Sequence, residues 1–245
     1  MRQGGDDPGQ TAFRDLLLRL RDNNCSEDDY QLLMSRTKER AYDVNLFDNA
    51  LRLFATNLKV NNHNFEKIQS MNQPIAKIDA IHSGKGASSA TEKEAGGLRR
   101  VLYLCKGAQV MLSSNLSVEH GLVNGSIGFV EEIIYAPDTK PPNLPICVNV
   151  IFNSYKGPAL PNQSVPICPK NSSFELGSTQ CSRLQVPLKL AWAISIHKAQ
   201  GMTLDRVVLD IGDVDFSPGL SYVALSRVRN LNGILTDKST TILFQ

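Results

Sequence analysis

Apolar residues recur along this chain in two rhythms, one helical and one strand-like, and the order in which they alternate outlines the architecture. Phe13, Leu16, Leu17 and Leu20 fall at helical spacing and predict an amphipathic helix running from Thr11 to about Asp22 and Asn23. A second helix follows at once, because Ser26 with Asp29 three residues later has the capping-box pattern and Tyr30, Leu33 and Met34 supply an apolar stripe. The apolar run at 50–55 (ALRLFA) predicts a buried strand. It is followed by the polar turn Thr56, Asn57 and a helix carrying Val60, Phe65, Ile68 and Met71. Pro74 and the run 75–81 predict another strand, and 83–97, rich in Gly, Ala, Ser and Lys, reads as a linker.

From 98 to 186 the pattern changes to short β-type runs, VLYL, AQVML, SIGFVEEIIY and ICVNVIF, separated by turns such as Val123, Asn124, Gly125. Pro141, Pro142, Pro145, Pro158, Pro161, Pro166 and Pro169 punctuate its second half, which suits a small, heavily looped barrel better than a sandwich of long strands. After Pro187 the α/β style returns: strand and helix through 191–205, a strand at 206–211, a helix at 218–229, and final strands near Ile234 and at 242–244. The expected fold class is therefore α/β, with one discontinuous domain, 1–97 and 187–245, interrupted by an inserted all-β domain, 98–186.

Composition narrows the chemistry. With 42% apolar residues among 245 the chain can bury a substantial core, and a net charge of +2 provides no basic footprint, so any nucleic-acid partner has to be argued from motifs. No apolar run approaches the roughly 18–20 residues of a membrane span, and MRQGGDDPGQ has no signal-like apolar region; the expectation is an intracellular protein with no membrane partner. Five cysteines without a CxxC pair favour neither a disulfide framework nor a closed zinc site, and no metal-ligating residues are expected. The tripeptides at Asn115, Asn124, Asn162 and Asn171 match the glycosylation pattern by chance.

The most informative stretch is 191–210, AWAISIHKAQGMTLDRVVLD, in which His197, Lys198, Gln200 and Thr203 cluster around Gly201 between two apolar segments. At Thr56 and Asn57 a strand runs into a helix, an arrangement that offers free N–H groups to a phosphate; the plain alternative is that they cap the helix. Two stretches imitate nucleotide motifs. SGKGAS would need Gly at 79 and Ser or Thr at 86 to form a phosphate loop, but Asp79 and Gly86 stand there, and Ser89 replaces the third glycine of G-x-G-x-x-G. VVLD, ending at Asp210, imitates a Walker B strand, but Ile211 follows where Glu would be needed.

SIHKAQGMTLDRVVLDIG resembles motif V, and SYVALSRVR motif VI, of superfamily 1 helicases, in the family's order and spacing. With MRQ, with LRLFATNLKVNNHN, which resembles motif IV, and with GAQVMLSSNLSVEHGLVNGSIGFV, which resembles the start of the family's inserted domain, the chain is similar over its whole length to the C-terminal half of the Pif-type (petite integration frequency) DNA helicases. The resemblance implies a RecA-like second motor domain, 2A, lacking its own P-loop, with an inserted small SH3-like barrel, 2B. It implies the C-terminal motor half of an ATP-dependent 5'-to-3' DNA helicase. Arg2 and Arg227 would be arginine fingers and Gln3, Gln200, Gly201 and Tyr222 would lie on the nucleotide side. Thr56, Asn57, His197, Lys198 and Thr203 would face single-stranded DNA, with Arg99, Arg100 and Lys106 offering further charge. The cofactors implied, ATP and Mg2+, both require an N-terminal RecA-like domain of the parent protein, because no Walker A or B occurs here. On its own the chain is expected to be inactive, whether as a fragment, a partial gene model or a truncated mobile-element copy. The alternative is a non-catalytic nucleic-acid or protein-binding remnant of a helicase.

Overall fold

In the computed structural model, which describes residues 3–5, 7–210 and 218–237, the first helix begins earlier than its apolar stripe. α1 (Pro8–Arg21) starts at Pro8 because the Asp7 carboxylate accepts the Gln10 backbone N–H at 3.0 Å and proline suits the first helical turn. α2 (Glu27–Met34) carries the expected capping box. Asp29 of that box is buried and also receives Nε and Nη2 of Arg19, both at 2.7 Å, a bidentate pair that holds its carboxyl below the usual range. β1 (Leu51–Phe54) and α3 (Asn57–Ser70) follow as the pattern requires. Arg36, just after α2, is buried: Nε donates to the Ile234 carbonyl at 2.9 Å, Nη2 donates to that of Asn232 at 3.2 Å and meets Asp43 at 2.9 Å, and the guanidinium lies over the Phe47 ring.

The chain divides into two units, Met1–Asn64 with Trp192–Gln245, and Phe65–Ala191. The change of apolar rhythm along the sequence falls inside these limits, because strands outside 98–186 pair with strands within it. β2 (Ala76–Asp79) pairs with β4 (Val101–Leu104), and β3 (Ile81–Ser83) with β10 (Thr179–Gln185). The single strand expected over 75–81 is thus two strands in different sheets. β5 (Gln109–Leu112), β6 (Ile127–Ile134), β7 (Cys147–Phe152), β8 (Val165–Ile167) and β11 (Leu188–Leu190) form a five-stranded antiparallel sheet in the order β11-β5-β6-β7-β8, and β9 (Lys170–Leu176) joins β3 and β10 in a third sheet.

The stretch 83–97, read from composition as a linker, is an ordered loop organised by one buried cation. Arg183 on β10 is 1% exposed; Nη1 donates to the Leu98 carbonyl at 2.9 Å, and Nη2 donates to those of Ala90 at 2.7 Å and Ala87 at 3.2 Å. Gly84 packs so closely on this strand that a Cβ would lie 2.5 Å from the Gln180 carbonyl oxygen, so this glycine of SGKGAS serves loop packing. Nε of Arg183 points at Nδ1 of His82 at 3.4 Å; burial first, then the charges of Arg183 and Arg100, lower the His82 pKa.

In the first unit the chain resumes with β12 (Ala193–Ser195), the single-turn α4 (Ile196–Ala199), β13 (Val207–Asp210), α5 (Pro218–Leu225) and β14 (Ile234–Thr236). The four strands form an all-parallel sheet in the order β12-β1-β13-β14. Its strands are apolar runs buried along nearly their whole length, as parallel strands covered on both faces must be. α5 stops at Leu225, four residues short of the expected end, and the expected strand at 242–244 lies outside the described residues. Among the described residues no helix is long and apolar enough to cross a membrane.

Two outcomes follow from the Arg183 site. Arg183→Leu leaves three buried carbonyls without this donor and is expected to cost about 3 kcal/mol or more, read as a lower urea midpoint by circular dichroism. His82 has a depressed folded-state pKa, so the unfolded chain takes up its proton first. Its contribution to stability is complete above the ordinary histidine value of about 6.5 and is lost as pH falls below it. His82→Gln should flatten that part of the stability profile between pH 7.5 and 5.5.

Candidate functional site

Ligands of parallel α/β sheets bind beyond the carboxyl ends of the strands, and most of the predicted DNA-facing residues lie there. β1 delivers Thr56 and Asn57, and its neighbour β12 delivers Ser195, His197 and Lys198. The Thr56 hydroxyl accepts the Lys59 N–H at 3.4 Å, so it caps α3 while its neighbour Asn57 is exposed. The Ser195 hydroxyl accepts the Lys198 N–H at 3.3 Å and sets the single turn of α4, on which His197 is exposed and Lys198 half-buried. Asp210, at the end of β13, meets Lys59 at 3.4 Å in a strand-end ion pair.

A residue the sequence reading passed over joins these two strand ends. Asn64 of α3 is buried, its Nδ2 donates to the Ala193 carbonyl at 2.9 Å, and its Oδ1 accepts the Ala193 N–H at 2.8 Å. The side-chain amide thus stands in for a neighbouring strand and locks α3 onto β12 two residues before Ser195. The only sequence signal was an asparagine on the helix face that also carries Val60 and Ile68, where an amide costs free energy unless both its ends are bonded.

The predicted nucleotide-side residues gather at the end of α5. Arg227 is 6% exposed; Nε donates to the Val223 carbonyl at 2.6 Å and Nη2 to the Ser226 hydroxyl at 2.7 Å. Tyr222, half-buried on the same helix, accepts the Ser226 N–H at its carbonyl, 2.9 Å away. The turn after α4 approaches from the other side, where Leu204 N–H donates to the Arg227 carbonyl at 2.9 Å and Leu204 bridges Val228 in parallel. In that turn Gln200, Gly201 and Thr203 are exposed, and Gly201 has φ +90°, which any side chain would strain. Gln3 is buried against the segment that follows α5, its Nε2 donating to the Val228 carbonyl at 2.7 Å and that of Ser226 at 3.4 Å. Arg2 lies outside the described residues. The Gln3 amide is thus taken up by backbone carbonyls, and Arg227, Gln200, Gly201 and Tyr222 comprise a cation, an amide, a phenol and a glycine backbone without a carboxylate, groups of the kind that can donate to an anion.

The chain was compared with known proteins. Residues 93–133 match the family model described as the 2B domain of the DNA helicase Pif1. The ATP-dependent DNA helicase PIF1 of Xenopus laevis is 34% identical over 223 residues, covering 91% of this chain and 32% of that protein. Among solved structures, the Pif1 helicase from Candida albicans superposes with a TM-score of 0.76 at 28% identity, over 99% of this chain and 56% of that one. Bacteroides Pif1 bound to single-stranded DNA gives a TM-score of 0.69 at 25% identity, over 98% and 51%. The chain thus spans about a third of the curated relative and about half of the solved chains.

Asn64→Leu removes both partners of the Ala193 peptide and is expected to destabilise the first unit by about 2 kcal/mol. Trp192, the sole tryptophan, adjoins that peptide, so its fluorescence in urea reports the shift. The exposed Asn62→Ala should move the midpoint by less than about 0.5 kcal/mol.

Proposed function

Because this chain belongs to the Pif1 family of superfamily 1 DNA helicases and has a RecA-like α/β fold, we propose that it is the C-terminal motor half of an ATP-dependent 5'-to-3' DNA helicase. In this reading the first unit forms domain 2A, and the second unit, which contains 98–186, carries the inserted SH3-like barrel, 2B. The ATP site is completed by an N-terminal RecA-like domain carrying Walker A and B. Polarity rests on the family resemblance. The observation that carries the reading is the turn 226–229, where Arg227 and the Gly201 turn are joined through the Leu204 N–H.

Phosphoryl transfer is accelerated mainly by positioning and by neutralising charge that develops on the γ-phosphate, and an arginine from across a cleft contributes about 10³–10⁵ in rate. Arg227, with Arg2 beside Gln3, supplies that charge; Gln200, Gly201 and Tyr222 shape the same edge. ATP supplies the phosphoryl group and drives movement. In this reading Mg2+ accompanies the nucleotide and is held with the Walker motifs of the N-terminal domain. Thr56, Asn57, His197, Lys198 and Thr203 hold the strand's phosphates. Because α4 and the Gly201 turn are contiguous, a change at the nucleotide edge moves the strand edge.

Joined to a Walker A-bearing domain, the chain should show DNA-stimulated ATP hydrolysis that falls by roughly 10³-fold or more in Arg227→Ala; unchanged turnover would sink the finger assignment. On the chain alone, fluorescence anisotropy with a labelled single-stranded oligonucleotide should show Lys198→Ala weakening binding and making the salt slope about 0.7 shallower, as loss of one phosphate contact requires. An unaltered slope would remove Lys198 from the strand edge.

A further inference from the structure

The carbonyls around Arg227 are bonded by side chains that no phosphate would touch. A helix leaves its last carbonyls without intrahelical donors, and beyond the end of α5 the next four all find donors from distant parts of the chain. Ser226 and Val228 accept Nε2 of Gln3 at 3.4 and 2.7 Å, Arg227 accepts the Leu204 N–H at 2.9 Å, and Arg229 accepts Nε2 of Gln10 at 2.7 Å. Gln3 and Gln10 are 5% and 7% exposed, and Asp7 secures the start of the helix that carries Gln10 by capping its N–H. The beginning of the chain is thereby fastened to the two peptides that flank the finger, 223 and 225 residues away. Both amides act here as donors, and a carboxylate in either place would set oxygen against oxygen.

We propose that Gln3 and Gln10 are positioning residues for Arg227, an amide clamp that aims the guanidinium and ties it to the segment bearing Arg2. The proposal rests on the finger reading. Gln3 acts through Arg227 and leaves nucleotide affinity to other groups. Misplacing a catalytic group by about 1 Å is enough to cost up to about a hundredfold in rate, so loss of the clamp lowers kcat and leaves KM for ATP in place.

The first test uses the chain itself. In 15N–1H spectra of the Arg227 Nε–H, which is buried and bonded to Val223, Gln3→Glu should shift the signal towards that of an exposed arginine and speed its solvent exchange about tenfold or more. The buried Arg36 and Arg183 Nε–H signals report whether each unit stays folded. Lowering the pH should reverse the effect, because a buried carboxyl among carbonyls titrates high and, once protonated, donates again. If Gln3→Glu unfolds the first unit, Gln10→Met, which removes one bond only, takes its place. An unchanged Arg227 signal in the folded variant overturns the clamp.

The second test uses the chain joined to a Walker A-bearing domain. Gln3→Glu should lower kcat about tenfold to a hundredfold at unchanged KM, and should have no further effect in an Arg227→Ala background. If Arg227→Ala costs nothing, the finger reading fails, whatever the spectra show. If Arg227→Ala abolishes turnover while Gln3→Glu retains it in full, the clamp fails and the finger stands.

Discussion

A backbone carbonyl beyond the end of a helix must find a donor, and after α5 four in succession find one within the chain, three of them on buried residues. The N–H groups of Ser226 and Arg227 still bond back to α5, but the carbonyls of 226–229 lie past its last turn and have no donor within it, and Leu204 bridges Val228 in parallel. Gln3, Leu204 and Gln10 meet the requirement, and in doing so bring the chain's beginning, the turn after α4 and the motif containing Arg227 to one place. An unbonded buried carbonyl costs about 1–3 kcal/mol, so this convergence has a thermodynamic cause that does not depend on any ligand. The edge proposed for the nucleotide is thereby assembled from segments that are remote in sequence.

The same device recurs with other donors. Arg36 reaches the carbonyls of Asn232 and Ile234 and fastens the segment after α2 to the start of β14. Asn64 pairs both ends of its amide with Ala193 and so links the helix that follows Thr56 and Asn57 to the strand that precedes His197 and Lys198. In the second unit Arg183 gathers three carbonyls of the 84–98 loop. Each is a polar side chain, nearly inaccessible to solvent, whose partners are backbone atoms far along the chain. Side chains of this kind hold the fold and set the geometry of the sites without touching a substrate.

The strand ends of β1 and β12 lie side by side at the carboxyl edge of the parallel sheet, the edge where ligands of such sheets bind. On the proposed reading, the division of labour within 191–210 has a structural reason. His197 and Lys198 stand on α4 at the carboxyl edge of the sheet, while Gly201, at φ +90°, turns the chain so that Leu204 can bond the Arg227 peptide.

Periodicity and capping chemistry made most of the helices and strands legible in the sequence, since α2, β1, α3, β5, β6, β7 and β13 depend on local apolar spacing and on residues such as Ser26 and Asp29 within one turn. The ordered motifs around Gly201 and Arg227 were legible for the same reason, being contiguous. The start of α1 at Pro8, the early end of α5 and the splitting of 75–81 into β2 and β3 were missed, because each depends on which partner a peptide bonds rather than on its own side chains. The loop at 83–97 looked like a linker because small residues signal flexibility unless something fills the space beside them, and that something is Arg183, some 85 to 96 residues away. The sequence by itself determined which segments are helical, which are buried strands, and which polar residues stand beside the turns. Only the tertiary structure decided which glutamine, asparagine or arginine satisfies which carbonyl, because that choice is made by proximity after the sheets have formed and leaves no periodic trace along the chain.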